Sequence, residues 1–332
     1  MNAPHILILG AGSAGRRHGR NLRQLGAVVA AFDPRADRCT EFSAEGPDCG
    51  TFTDLGKALD ARAWDGCLVA SPPNFHVDQI VRFAAAHPGK KIYSEKPLST
   101  DAASCKVLAS LSDRILLGYT YRWWEPIVEM RRRLREKSIG DVRHARFVMS
   151  AHLADWHPWE SYKDFFMANK EQGGGALLDE SHFIDLALWI FGPAASVYAQ
   201  VEHVSDLDMD ADDHVDILLT TAEGVRVNLH LDLIGRPHER SITAVGESGT
   251  LVYTYEDNTL RQASCAEKKW DEIRFACERN EMFLGAVKEY LAWMEKPSLA
   301  RTCTIEDGIA ALKVVDACRQ SSREGRRQIL AR

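Results

Sequence analysis

The sequence predicts an α/β fold that opens on a doubly wound parallel sheet, and three observations carry that reading. Short apolar runs alternate with helical stretches through the first third of the chain. A glycine-rich turn lies where the first apolar run hands over to the first helix. At 332 residues the chain exceeds one ordinary core and fits two domains, and its later part reads as longer strands between glycine turns.

The elements follow in order. His5 to Leu9 is a short apolar strand, and Ser13 to Gln24 is a helix stopped by Gly26. Ala27 to Phe32 is a second strand ending at Asp33-Pro34, and Asp54 can cap a helix over Leu55 to Leu59. Gly66 to Ala70 is a buried-type strand broken by Ser71-Pro72-Pro73. Asn74 then caps a helical stretch to His87, and Lys91 to Ser94 is the next strand. A helix around Asp101 to Leu111 leads to a strand at Arg114 to Gly118. Beyond it, Arg143 to Ala151, Ala195 to Val204, His214 to Thr220 and Val225 to Leu233 read as long strands. Glycine turns at Gly224 and at Gly246 to Gly249 separate strands, as a meander requires.

Composition excludes several classes of function. The balance of 45% hydrophobic and 27% charged residues is that of a soluble globular chain. A net charge of -6 exerts no pull toward nucleic acid or an anionic membrane. The basic run Arg131-Arg132-Arg133-Leu134-Arg135 sits in a helical pattern beside Glu125, Glu129 and Glu136, and reads as a solvated helix face. No stretch approaches the roughly 18 apolar residues of a membrane span. The run Ile6 to Leu9 is too short for the apolar region of a signal peptide. The eight cysteines include no C-x-x-C pair and read as reduced thiols in a cytoplasmic protein. Histidines cluster around 144–157 and 230–238 without ligand spacing, so no metal site is expected.

The glycines give the first sheet a purpose. Gly10-Ala11-Gly12-Ser13-Ala14-Gly15 is G-x-G-x-x-G placed between a strand and a helix. Gly10 permits the tight turn, Gly12 lets the backbone approach a pyrophosphate, and Gly15 lets the helix pack on the strand. Asp33, about 20 residues on at the end of the second strand, stands where a ribose-binding acid belongs. Its carboxylate favours NAD over NADP, although Arg35 and Arg38 can offset its repulsion of a 2′-phosphate.

Three further segments are Ser71-Pro72-Pro73-Asn74-Phe75-His76, Glu95-Lys96-Pro97-Leu98, and Gly173-Gly174-Gly175 through Asp179, His182 and Asp185. In that order behind the glycine loop, the chain resembles the Gfo/Idh/MocA oxidoreductases, named for glucose–fructose oxidoreductase and inositol dehydrogenase. The resemblance extends to Tyr119-Thr120-Tyr121-Arg122 and to a closing helix at Ile305 to Ser321. It implies a Rossmann domain over residues 1–122 and a domain with a large open, mostly antiparallel sheet over 123–332. The closing helix would return to the first domain. An open sheet has a face to hide, so a homodimer or homotetramer through that face is expected.

The resemblance also assigns roles. Lys96, before a cis Lys96–Pro97 bond, would hydrogen-bond the reacting hydroxyl and the nicotinamide ribose. Ser71, Pro72, Pro73 and Asn74 would line the nicotinamide pocket, with Glu95 nearby, while His76 reads as more structural. Asp179 and His182, at i, i+3 after three glycines, share a helix face; His182 suits acid/base work and Asp179 can assist it. Many family members carry this pair at i, i+4, so Asp185 is a second candidate partner for His182. Arg122 either binds substrate or braces the domain junction. The segment Trp156, His157, Trp159, Tyr162 and Lys163 lies where family loops cover the substrate, and its indole faces suit sugar C–H surfaces. This loop, the glycines and Trp189-Ile190-Phe191-Gly192 resemble a subset tied to surface-sugar metabolism, including acidic nine-carbon sugars.

The activity implied is hydride transfer between a nicotinamide cofactor and a hydroxyl of a sugar, sugar acid or related polyol. Two alternatives share these residues: an NAD-dependent, redox-assisted glycosidase, and a non-catalytic dinucleotide-binding regulator. The regulator reading fits less well, because Lys96 and His182 are both present.

Overall fold

The computed structural model describes residues 3–47, 49–156, 161–266 and 269–330. They form two compact units. One holds the chain up to Thr120 together with Arg279–Ile309, and the other holds Tyr121–Glu278 and the chain from Ala310 on.

In the first unit β1 (His5–Leu9) leads to α1 (Ser13–Gln24), β2 (Val28–Phe32), α2 (Ala36–Ala44) and β3 (Thr51–Phe52). Then come α3 (Leu55–Asp60), β4 (Gly66–Val69), α4 (His76–Ala86), β5 (Lys91–Glu95) and β6 (Ile115–Gly118). The six strands lie in the order β3-β2-β1-β4-β5-β6, all parallel. This is the expected doubly wound sheet, with its order reversing at β1, and such sheets bind ligands beyond the carboxyl ends of their strands. Ile6 to Leu9 and Cys67 to Val69 are wholly buried, which is why these strands read as unbroken apolar runs.

Local chemistry explains most boundaries. The Asp54 carboxylate accepts from the Lys57 N–H at 2.8 Å and caps α3 as expected. Asn74 does not cap α4. Pro73 starts a 3-10 turn over Pro73–Phe75, and α4 begins only at His76. The helix expected at 101–111 is a 3-10 winding over Ser104–Arg114. Asp101 accepts from the Ser104 N–H at 2.8 Å, and Cys105 and Lys106 bond back three residues, setting the tighter pitch.

The second unit begins with α5 (Glu125–Arg135), β7 (Val142–Ser150), α6 (Ala176–Asp179), α7 (Ser181–Phe191) and β8 (Ala194–Glu202). β9 (His214–Thr221), β10 (Arg226–Asp232), β11 (Glu239–Gly246), β12 (Gly249–Thr254), β13 (Thr259–Ser264) and β14 (Trp270–Arg274) follow. The chain then passes through α8 (Asn280–Glu295), which belongs to the first unit, before α9 (Ile305–Glu324) and β15 (Gln328–Ile329). The nine-stranded sheet runs β14-β13-β12-β11-β7-β10-β9-β8-β15. It is not the simple meander the turns suggest. β7 slots between β11 and β10 and pairs with β10 in parallel, while its other pairings are antiparallel. Side chains alternate along β9, with Val215, Ile217 and Leu219 buried on the helix-covered face and Asp216 and Leu218 exposed on the other.

The return to the first unit is made by α8, where the Tyr290 hydroxyl lies 3.0 Å from the carbonyls of Cys67 and Lys91. α9 starts in the first unit, with Gly308 tight against Leu117 and Leu98, and continues in the second. There the Ser321 and Ser322 hydroxyls accept from the Ala199 and Val201 N–H groups of β8 at 3.0 Å. All eight cysteines are free thiols, and no helix among the described residues is long and apolar enough to cross a membrane.

Candidate active site

In the first unit the glycine loop is fixed by sterics. Gly10 has φ +100°, and a Cβ on it would stand 2.6 Å from the Ser71 nitrogen. A Cβ on Gly15 would stand 1.8 Å from the Gly10 carbonyl oxygen, so no side chain fits there. Gly12 meets only the Arg38 side chain, which leaves the turn open on its outer side. The first N–H groups of α1, at Ser13, Ala14 and Gly15, point out of that turn without intrahelical acceptors.

Asp33 locks this loop to the second strand. Its buried carboxylate accepts from the Ala11 N–H at 2.9 Å and from the Arg35 N–H at 3.0 Å. Arg38 Nη1 lies 3.8 Å from the same carboxylate. The Arg35 guanidinium instead pairs with Asp37 on the surface, and that contact holds the Asp37 carboxyl below its usual range. Of the two arginines, Arg38 is the one that tempers Asp33.

A second group of residues converges on Lys96. His76 spans from the Ser71 carbonyl, 2.7 Å from Nε2, to the Pro97 carbonyl, 2.8 Å from Nδ1. Burial pushes its pKa below the ordinary histidine range. His76 is therefore neutral, packed between the Ser71 turn and the strand end that carries Lys96 and donating to one of the two carbonyls, and the Lys96–Pro97 bond is cis as expected. Glu95 is buried beneath it. Its Oε1 lies 2.5 Å from His18 Nε2 on α1, and Oε2 accepts from the Lys96 N–H at 3.2 Å. Burial works to raise the Glu95 pKa, but the His18 hydrogen bond and the charges of His18 and Lys96 outweigh it, and the carboxyl stays ionised. Sequence reasoning missed His18, whose only signal was a histidine on the inner face of the first helix.

In the second unit the three glycines are a steric necessity. Gly173 and Gly175 have φ +90° and +102°, and a Cβ on Gly174 would stand 2.4 Å from the Met167 carbonyl oxygen. Asp212 accepts from the Leu177 N–H at 2.7 Å and starts α6, a role not foreseen from the sequence. The single helix face expected for Asp179 and His182 does not form. α6 ends at Asp179, Glu180 breaks the run with ψ 18°, and its carbonyl accepts from the Phe183 N–H to open α7. Asp179 is buried, and His182 packs edge-on to Tyr121 with ring centroids 5.1 Å apart.

Asp185 takes up Arg122 in a buried bidentate pair at 2.6 and 3.0 Å, and the Arg122 guanidinium lies 5.5 Å from the Trp189 ring. All three residues lie within the second unit. Around Tyr121 stands an aromatic wall that sequence reading missed. Tyr255 lies 6.3 Å from Tyr121, and the Trp124 indole donates to the Tyr253 hydroxyl at 2.6 Å. The Arg240 guanidinium sits 4.6 Å over Tyr255. Burial works against its charge, yet Tyr121, Glu180, Tyr255 and Glu256 hold its pKa above the usual value.

The loop expected over the substrate is only partly described. His157 and Trp159 lie outside the described residues. Lys163 pairs with Asp208 on the surface, and the Tyr162 hydroxyl accepts from the Asp208 N–H at 3.1 Å. Trp156 is half-buried beside Asp155, which grips Arg236 in a bidentate pair.

Residues 5–114 match the profile of an oxidoreductase family with an NAD-binding Rossmann fold, and residues 127–252 match the GFO/IDH/MocA C-terminal domain. The chain belongs to the GFO/IDH/MocA family of oxidoreductases. It is an NAD-binding enzyme, and the loop, the buried Asp33 and the open turn at Gly12 fit that cofactor. Among relatives in this family, an inositol 2-dehydrogenase of Acidothermus cellulolyticus is 26% identical, over 96% of this chain and 92% of that one. The rhizopine catabolism protein MocA of Rhizobium meliloti is 28% identical over 56% of either chain. A solved oxidoreductase domain protein from Kribbella flavida shares the fold over 100% of both chains, with a TM-score of 0.88 and 21% identity.

Proposed function

We propose that this oxidoreductase oxidises or reduces a hydroxyl of a sugar, sugar acid or related polyol, with NAD preferred to NADP. The observation that carries the reading is the buried Asp33 carboxylate pinned to the glycine loop while the family's Lys96 is retained. The inositol 2-dehydrogenase relative, aligned over nearly its whole length, supports a polyhydroxylated substrate. When bound, the nicotinamide ring accepts or gives the hydride. Residues 1–122 serve the nucleotide and 123–332 the substrate.

The chain's own residues manage the proton. Lys96 donates a hydrogen bond to the reacting oxygen and favours its alkoxide-like form. His182 takes the hydroxyl proton during oxidation and returns it during reduction. Its Nδ1 is buried, so Nε2 is the nitrogen that serves. Tyr121 fixes the ring from the side, Asp179 assists, and the Tyr255 face with Arg240 receives the polyol or its acid group.

Nicotinamide fluorescence on titration with NADH and NADPH, followed by NADH formation on myo-inositol and a panel of sugars and sugar acids, tests this reading. Tighter NADH binding and turnover on a polyhydroxylated substrate are expected. Lys96→Ala should cut kcat by about 100- to 10,000-fold, the size of a lost acid/base contribution, with NADH binding kept. Unchanged turnover in Lys96→Ala would overturn the assignment. We further propose that the open face of the nine-stranded sheet joins copies of the chain into a dimer or tetramer.

A further inference from the structure

The open face of the nine-stranded sheet carries a second chemical feature, unrelated to hydride transfer. β9 and β10 place four side chains in a square on that face, with His230 opposite Asp216 and Asp232 opposite His214. His230 Nδ1 lies 2.8 Å from Asp216 Oδ1, and its Nε2 lies 2.9 Å from Asp232 Oδ2. His214 Nε2 lies 3.9 Å from Asp216 Oδ2, too far for a hydrogen bond. One ligand atom from each of His214, Asp216 and His230 falls within 4.8 Å of the others. A groove of about 630 Å³ opens over Asp216 and His230.

We propose that His214, Asp216 and His230 form a binding site for a divalent transition metal of the zinc type. Zinc takes nitrogen and carboxylate ligands at about 2.0–2.1 Å in a tetrahedron, which sets ligand atoms roughly 3.3 Å apart. His230 Nδ1 lies 2.8 Å from one Asp216 oxygen and His214 Nε2 3.9 Å from the other, and all three ligand atoms fall within 4.8 Å, so side-chain rotation can draw them around one ion. Two imidazoles and one carboxylate select zinc, cobalt or nickel over calcium or magnesium, which want oxygen alone. The fourth position faces the groove.

Asp232 supplies what such sites need beyond their ligands. It is buried, and its Oδ1 accepts from the Ile234 and Gly235 N–H groups at 2.9 and 2.7 Å. Its Oδ2 then accepts a hydrogen bond from the His230 Nε2–H, which fixes the tautomer and leaves Nδ1 as the ligand atom. His230 Nδ1 already faces Asp216 Oδ1 across 2.8 Å, so the two ligand atoms are aimed at one another before any ion enters. The sequence hides the site, because His214 and His230 meet only through the β9–β10 register.

The experiment is calorimetric titration of the full-length, tag-free protein with zinc chloride in two buffers of different ionisation enthalpy, repeated with cobalt chloride in a spectrophotometer. One ion per chain with about one proton released is expected, and the intense visible bands of four-coordinate cobalt. His230→Gln and His214→Gln should each abolish binding, while Asp232→Asn should weaken it about 10- to 100-fold. NADH affinity and thermal melting of the metal-free variants report that each is folded. If Asp232→Asn alone proves unstable, the two histidine variants still decide. No binding below about 100 μM, six-coordinate cobalt spectra, or binding that survives both histidine substitutions would sink the proposal.

Discussion

Asp33 serves two partners with one carboxylate. It holds the Ala11 and Arg35 N–H groups, and only its remaining lone pairs can take a ribose hydroxyl. Hydrogen bonds to a charged group contribute about 1.5–3 kcal/mol, so Asp33→Ser should weaken NADH binding by about 10- to 100-fold. The same change removes the repulsion of a 2′-phosphate while Arg38 stays in place. NADPH should therefore lose less than NADH, and the ratio of their Kd values, read by fluorescence titration, should move toward or past unity. An unchanged ratio would mean that Asp33 only pins the loop. At this scale the sequence was informative wherever sterics decide, as at Gly10 and Gly15, where the spacing implied a tight turn and a helix packed close on its strand, and a Cβ at either position would clash. It was silent on Tyr255, because a single aromatic residue just past a strand end carries no periodic signal. It did not foresee the pairing of Asp185 with Arg122, which only the folded chain shows.

Elements were legible where one physical cause dominates and obscure where two compete. The alternating strands and helices of the first unit follow from burial on both faces of a parallel sheet. Asp179 and His182 fell on different helices because the turn begun by Gly175 and Asp212 closes after four residues at Asp179. α5 shows the predictable kind of element. Its basic run is solvated as expected at Arg132 and Arg135, with Glu129 bridging Arg132 and Arg133 at 2.8 Å, whereas Arg131 is half-buried and laid 4.0 Å over Trp189. The Arg132 hydrogen bond, then that of Arg133, outweighs modest burial and holds the Glu129 pKa at about 2. A carboxyl depressed on folding contributes stability that is present above about 4.5 and lost as pH falls toward about 2. Glu129→Gln should thus lower Tm at pH 7 by a few degrees at most, since partly exposed pairs contribute about 0–1 kcal/mol. Near pH 2 the variant and the parent should melt together. A deficit in Glu129→Gln that persisted there would mean that packing, not charge, is what the substitution removed.

For the whole molecule, the open sheet face poses the question of assembly. Tyr198 and Leu218 sit directly across β8 and β9 from one another and are 39% and 56% exposed, an apolar pair set among Gln200, Asn228 and Arg146. An apolar centre inside a polar surround is how subunit interfaces are composed. A two-fold axis would bring each such patch onto its own copy, so one substitution acts twice per interface. Light scattering at micromolar concentration should give a dimer or tetramer mass for the parent chain. Leu218→Glu should shift it toward the monomer, because like charges would meet across the axis without solvent. The glycine loop, Asp33 and Lys96 all lie in the other unit, so NADH affinity should not change. A parent chain that is already monomeric would leave the patch without the partner proposed for it. A tetramer that dissociates only to dimers in Leu218→Glu would instead place this face at one of two interfaces. Running the same samples with and without zinc would then show whether the His214–Asp216–His230 cluster on that face is coupled to assembly, since a metal held inside an interface shifts the mass and a metal beside it does not.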